Sequence, residues 1–249
     1  MENATGWDLY TVNANGTGLT QRTNDATIEG DPDWSPSGTQ IAYAKLSDIY
    51  IYDLSTNTET AMGLLGANKN RPKWSPNGAQ LVFELSPSGA DWEVAIVNAN
   101  GTGQTNLSND PTNDDLTPVW SPPIRNQIAW VKGGNILVHD LTTNTQSLLT
   151  SSGNASSPAF SPSGQYLVYV ENGDIYRLTW TGSAWGNLTQ LTNTGDNFSP
   201  CWTPNSQYII YMSTQPSGDA EIWRMRFDGS QKVNLTNIGA TDEAPVCQP

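Results

Sequence analysis

A single histidine, two cysteines and a 14% share of charged residues limit the chemistry open to this 249-residue chain. His139 stands alone and falls within a strand of the third repeat, so no histidine cluster can grip a metal ion. It leaves no base for most Ser-His-Asp or Cys-His sites, and no G-x-S-x-G elbow or Asp-box motif occurs. Only 11 basic residues face 24 acidic ones, a net charge of −13 that repels phosphate backbones and anionic lipid. A nucleic-acid or membrane-surface role is therefore disfavoured. No apolar run approaches the ~18 residues of a membrane-spanning helix, and none repeats at i, i+3, i+4, i+7 over three turns.

What the chain does have is Asn, Thr, Ser and Gly between short apolar strands, with 36% hydrophobic residues to fill an interior. One phrase recurs. It reads Pro32-Asp33-Trp34-Ser35-Pro36-Ser37-Gly38, then Pro72-Lys73-Trp74-Ser75-Pro76-Asn77-Gly78, and returns around Trp120, Phe160 and Trp202. A weaker copy, Pro245-Val246-Cys247, ends the chain. The third position recurs after 40, 46, 40, 42 and 45 residues, the length of one four-stranded propeller blade.

Each unit parses physically. Strand A leads into a Ser-Pro-x-Gly turn, where proline presets φ and glycine takes the left-handed position. Strand B pairs an aliphatic residue with an aromatic two positions on: Ile41/Tyr43, Leu81/Phe83, Ile128/Trp130, Leu167/Tyr169 and Ile209/Tyr211. Strand C follows, as in Ile49-Tyr50-Ile51-Tyr52, and strand D closes on phrases such as Gln190-Leu191-Thr192. The expectation is an all-β, six-bladed propeller of four-stranded antiparallel blades in one domain, 1–249. The five whole blades fall near 30–65, 70–108, 116–150, 156–192 and 198–237. The sixth is shared: 1–23 supplies strands C and D, and 244–249 supplies strand A, closing the ring. No segment supplies its strand B, so either chain is missing beyond Pro249 or that blade has three strands.

The phrase Pro-x-Trp-Ser-Pro-x-Gly, with Ile41-Ala42-Tyr43, Asp48-Ile49-Tyr50 and a closing Leu-Thr, resembles the WD-like repeat of TolB-type propellers. The resemblance covers essentially the whole chain. It implies a six-bladed propeller in the bacterial envelope, periplasmic or extracellular, serving as a protein-binding platform. The additional N-terminal α/β domain that the family's namesake carries is not expected in this sequence.

Candidate residues divide by position. The repeated Trp34, Trp74, Trp120, Phe160 and Trp202 offer a sugar-stacking platform, but their identical place in each unit favours packing between blades. A carboxylate or amide precedes each strand C, at Asp8, Asp48, Glu93, Asn135, Asp174 and Glu221; a repeated turn hydrogen bond is favoured over a functional ring. Cys201 and Cys247 sit at neighbouring positions of strand A in adjacent repeats, and a disulfide between them is favoured over two buried thiols.

Loops joining strand D to the next strand A escape the packing demands of the sheets, and make the best partner-binding candidates. They hold Glu29, Asp31, Lys69, Arg71, Asp114, Asp115, Asn154, Asp196, Asn197, Asp242 and Glu243. A cationic protein segment suits this acidic mouth, and a glycan is the alternative ligand. No cofactor is required, although a Ca²⁺ ion would also suit the charge. The expected function is non-catalytic binding by a monomer; a carbohydrate-active hydrolase or lyase using two loop carboxylates, or a structural domain of a larger surface protein, is the alternative.

Overall fold

The computed structural model describes residues 6–13, 16–215, 218–236, 242, 245 and 247. Five four-stranded antiparallel sheets follow one another along the chain, each ordered A-B-C-D. Blade 1 comprises Glu29–Trp34, Gln40–Lys45, Asp48–Asp53 and Thr58–Ala61. Blade 2 comprises Asn68–Trp74, Gln80–Ser86, Glu93–Asn98 and Thr105–Asn106. Blade 3 comprises Asp115–Trp120, Gln127–Lys132, Asn135–Asp140 and Thr145–Leu148. Blade 4 comprises Ala155–Phe160, Tyr166–Glu171, Asp174–Trp180 and Trp185–Gln190. Blade 5 comprises Asn197–Trp202, Tyr208–Ser213, Glu221–Arg226 and Val233–Asn234. The architecture is a β-propeller of four-stranded blades. The chain divides into two compact units, 1–118 and 119–249.

The blade count corrects the sequence-based expectation: among the described residues five four-stranded blades are formed, not six. The N-terminal strands expected for a sixth are reduced to a two-stranded hairpin, Tyr10–Thr11 with Thr20–Gln21, and Trp7 makes a lone parallel bridge to Ile28. A sheet needs a central strand to bury its faces, and no segment of the sequence supplies strand B for this one. Of the C-terminal strand expected at 244–249, only Pro245 and Cys247 lie among the described residues.

Strand B of blade 4 is apolar on both faces because both meet a neighbouring sheet of the same compact unit. In blade 4, Leu167 and Tyr169 pack with Ala129, Val131, Ile136 and Val138 of blade 3. The alternate residues Val168 and Val170 pack on the other side, with Trp202, Ile209, Tyr211 and Met225 of blade 5. The period of two thus divides one strand between two interfaces. In the first unit, Ala42, Ala44 and Ile49 pack in the same way with Trp74, Leu81 and Phe83.

The aromatic expectation needs correcting. Of the recurring strand A aromatics only Trp74 and Trp202 are buried, while Trp34 is 41% exposed. The deepest rings belong to strand B, where Tyr43, Phe83, Trp130, Tyr169 and Tyr211 are at most 2% exposed. Strand B is an inner strand sandwiched between sheets, whereas Trp34 ends its strand beside an open turn.

The residue before strand C is a clamp. In blade 4, Thr192 accepts the Ile175 amide at 2.8 Å and donates to Asp174 at 3.2 Å; Asp174 also accepts the Gly195 amide at 3.0 Å. Ser108, Thr150 and Thr236 repeat the arrangement with Glu93, Asn135 and Glu221. Blade 1 has Gly63 in place of the hydroxyl, and Asp48 accepts the Gly63 amide directly at 2.8 Å. These acceptors fix the loops between strands D and A by satisfying their backbone donors. The Cys201–Cys247 disulfide is present, with Cα atoms 5.6 Å apart.

Candidate functional site

Strand A of every blade carries one backbone feature that the sequence pattern did not announce. The residue before the repeat proline has positive φ: Asp31 (51°), Arg71 (48°), Thr117 (52°), Ser157 (51°) and Ser199 (48°). In blades 1, 2, 4 and 5 the ladder register shifts across this point. A left-handed conformation costs a residue with a Cβ about 1–2 kcal/mol, and bulges of this kind re-aim side chains out of the ladder. Five non-glycine residues holding the same costly geometry mark the segment as a candidate site.

In the first unit the bulges gather a charged cluster. Arg71 donates through Nη1 to Glu84 Oε1 at 3.0 Å, and its Nε lies 3.9 Å from Asp31. Glu84 is buried, and the same oxygen accepts the Thr117 amide at 2.7 Å. Partial burial disfavours the Arg71 cation, but Glu84, with Asp31 behind it, holds the guanidinium above its ordinary pKa. Glu84 therefore anchors the root of a guanidinium whose side chain, like that of Asp31, remains nearly half exposed, at 46% and 44%. The pair thus presents one positive and one negative side chain at fixed, partly exposed positions.

A second cluster lies inward on blade 1. Lys45, 3% exposed at its side chain, reaches Asp25 at 2.5 Å, Glu59 at 2.9 Å and Glu29 at 3.0 Å. Tyr43 donates its hydroxyl to Glu59, and Thr23 donates to Glu29. Burial opposes the Lys45 charge, but the hydrogen bonds to Asp25, Glu59 and Glu29 outweigh it and raise its pKa. Burial, then Glu59, pushes the Tyr43 phenol far above its ordinary range, so it stays a donor. Here Lys45 occupies the position a bound cation would take. Among the described residues, no group of three His, Cys, Asp or Glu side chains is arranged to hold a metal ion.

The structure thus brings Asp31 and Arg71 together, and gives the other described candidates different partners or surroundings. Glu29 is spent on Lys45, Thr23 and the Leu9 amide, and Lys69 is buried with its ammonium on the Gly66 carbonyl at 2.8 Å. Asp114 is exposed and accepts the Trp92 amide at 2.9 Å, while Asp115 is fully buried. Asn197 is buried in the second unit, and the Asp242 amide donates to the Ala220 carbonyl at 2.8 Å. Glu243 lies outside the described residues. Sequence reasoning missed Glu84 and Lys45. Glu84 had a signal, because the position after the strand B aromatic is Ala44, Val131, Val170 or Met212 in the other blades.

The family model described as the TolB beta propeller domain matches residues 113–249. The Tol-Pal system protein TolB of Alcanivorax borkumensis is 36% identical over 63 residues, 23% of this chain and 14% of that protein. The chain matches only 14% to 24% of the length of the curated relatives to which it is similar. Among solved structures, the putative TolB of Agrobacterium tumefaciens superposes with a TM-score of 0.68 at 15% identity, covering 90% of this chain and 86% of that one. An oligogalacturonate lyase in complex with manganese gives 0.73 at 12% identity, covering 92% and 70%. At such identities the superpositions speak for the fold alone.

Proposed function

The chain belongs to the TolB beta propeller domain family, and from that membership we propose a non-catalytic binding module that presents the loop end of its first blades to a cationic protein segment. The observation that carries this reading is the anchored pair Asp31–Arg71, held by buried Glu84 on a strained bulge. The bulge recurs in every blade, but only in blades 1 and 2 does it carry exposed charged side chains, and that difference supports a binding role for the pair. Charge supports the choice of partner. Residues 1–118 carry fifteen acidic and five basic side chains, against nine and six in 119–249. A basic partner would be steered toward the first unit, faster at low salt than at high. A periplasmic or extracellular setting suits both the family and the Cys201–Cys247 bridge.

The experiment is affinity capture from bacterial envelope extract with the wild-type chain, Asp31→Ala and Arg71→Ala as bait. A protein retained by wild type and lost by both variants, with thermal melting shifted by only a few degrees, supports the reading. Equal retention by all three overturns it. Turnover of a polysaccharide, lost in a loop carboxylate-to-amide variant, would replace binding with catalysis.

A further inference from the structure

A cavity of about 360 Å³ lies between the loop that follows strand D of blade 4 and the sheet of blade 5, wholly within the second unit. Its deeper lining includes Asn197, Tyr211 and Ser213, each at most 4% exposed. Trp223, the cross-strand neighbour of Tyr211, supplies an aromatic wall, and Gln215 and Lys232 stand at its edge.

Three features separate this cavity from an ordinary gap between blades. First, no carboxylate lines it, although the chain as a whole has a charge of −13. Second, Tyr211 lines the cavity, and its hydroxyl makes no hydrogen bond to the described residues, which leaves it free for a molecule in the cavity. Burial pushes that phenol up to about 12, so it is a donor at neutral pH. Third, Lys232 donates to the Gly229 carbonyl at 2.6 Å but has no carboxylate within ion-pair distance among the described residues. An ammonium has three donors, so the other two remain for a ligand.

The lining decides the ligand class. A purely apolar molecule would leave the Tyr211 hydroxyl facing carbon, at about 1–3 kcal/mol. A polyphosphate needs more than one cation, and Lys232 is the only one in the lining. A pyranose meets each demand: a C–H face for the indole, hydroxyls for the amides and phenol, and a volume suited to one or two rings. Asn197 spends its amide hydrogens on Gly173, Asp174 and Thr194 within the protein, so it would offer its carbonyl oxygen as the acceptor.

We propose that this cavity binds a sugar ring bearing a carboxylate, with Trp223 against the ring, Tyr211 and Asn197 on its hydroxyls and Lys232 on the acid group. The site is independent of the Arg71 cluster, so its failure would leave the protein-binding reading untouched.

The test uses the disulfide-intact chain and four probes: the methyl glycosides of glucuronic and galacturonic acid and of their neutral parents, titrated by ligand-observed NMR. At least one uronide should saturate, with an affinity about fivefold or more above its neutral parent, corresponding to one net hydrogen bond of ~1 kcal/mol. Lys232→Gln should abolish that preference, and Tyr211→Phe should weaken uronide binding about fivefold while the melting temperature stays close to wild type. Trp223 also packs in the interior, so it is left unaltered. Absence of saturable binding by either uronide overturns the proposal, as does a preference that survives in Lys232→Gln.

Discussion

Lys45 shows how much one side chain can hold in place. Replacing it with Met would leave Glu29 buried without its counter-charge, and such losses typically cost about 3–5 kcal/mol; the denaturant midpoint should fall accordingly. The same cluster sets a pH profile. Asp25 is held down to about 2, by its hydrogen bond with Lys45 and then by Thr27, below the ~3.9 of an unfolded aspartate. Its contribution is complete above about pH 4 and is lost as pH falls through about 2, with an amplitude reduced by solvent screening. Lys45 is displaced upward, so its contribution is complete below about 10.4 and is lost as pH climbs through its higher folded value. Urea midpoints should therefore hold a plateau near neutrality, and Lys45→Met should remove the Asp25 share of the acid limb. The aromatics give a second contrast. Phe83→Ala should cost about 3–5 kcal/mol by equilibrium unfolding, and Trp34→Ala much less, since Trp34 is already 41% exposed. The sequence made both positions visible but not their depths, because burial depends on the sheet alongside rather than on the repeat itself.

Strands and turns were the most legible elements. Alternating apolar residues and a Ser-Pro or Thr-Pro turn, closed by glycine in three of the five units, located the strands of five blades, because each unit meets the same local demands of turn and ladder. The positive-φ bulges were hidden. Asp31, Arg71, Thr117, Ser157 and Ser199 span four residue types, and only their place before a proline connects them all. Their cost can be measured where no ion pair intervenes. Ser157→Gly and Ser199→Gly should each stabilise the chain by up to ~1 kcal/mol, relief of left-handed strain partly offset by the greater freedom of glycine when unfolded. Equal or lower melting temperatures in both would mean that the bulge is not strained. The clamp before strand C predicts the opposite sign: Asp174→Ala removes the acceptor for Gly195, Thr192 and Asn197, and should cost about 1–3 kcal/mol.

For the whole molecule, the repeat announced a propeller but overcounted its blades, since a strand phrase at each chain end was read as half of one sheet. The disulfide was legible because two cysteines fell at neighbouring repeat positions in adjacent units. It spans a separation of 46 residues, for which loop closure predicts up to about 4 kcal/mol of stabilisation. Reduction should lower the melting temperature, and unchanged melting would show that the bridge does not restrain the fold. The Arg71–Glu84 anchor was not legible, because it depends on a register shift between two neighbouring strands of blade 2, which sets Arg71 beside the carboxylate paired with Asn70. Binding through the bulge-and-loop end of the first unit is most directly tested by hydrogen exchange on the chain with and without its captured partner. Slowed exchange should concentrate in 28–33, 66–72 and 110–117. Protection confined to the Ser-Pro-x-Gly turns at 35–39 and 75–79 would place the partner at the opposite end of the sheets and contradict the account.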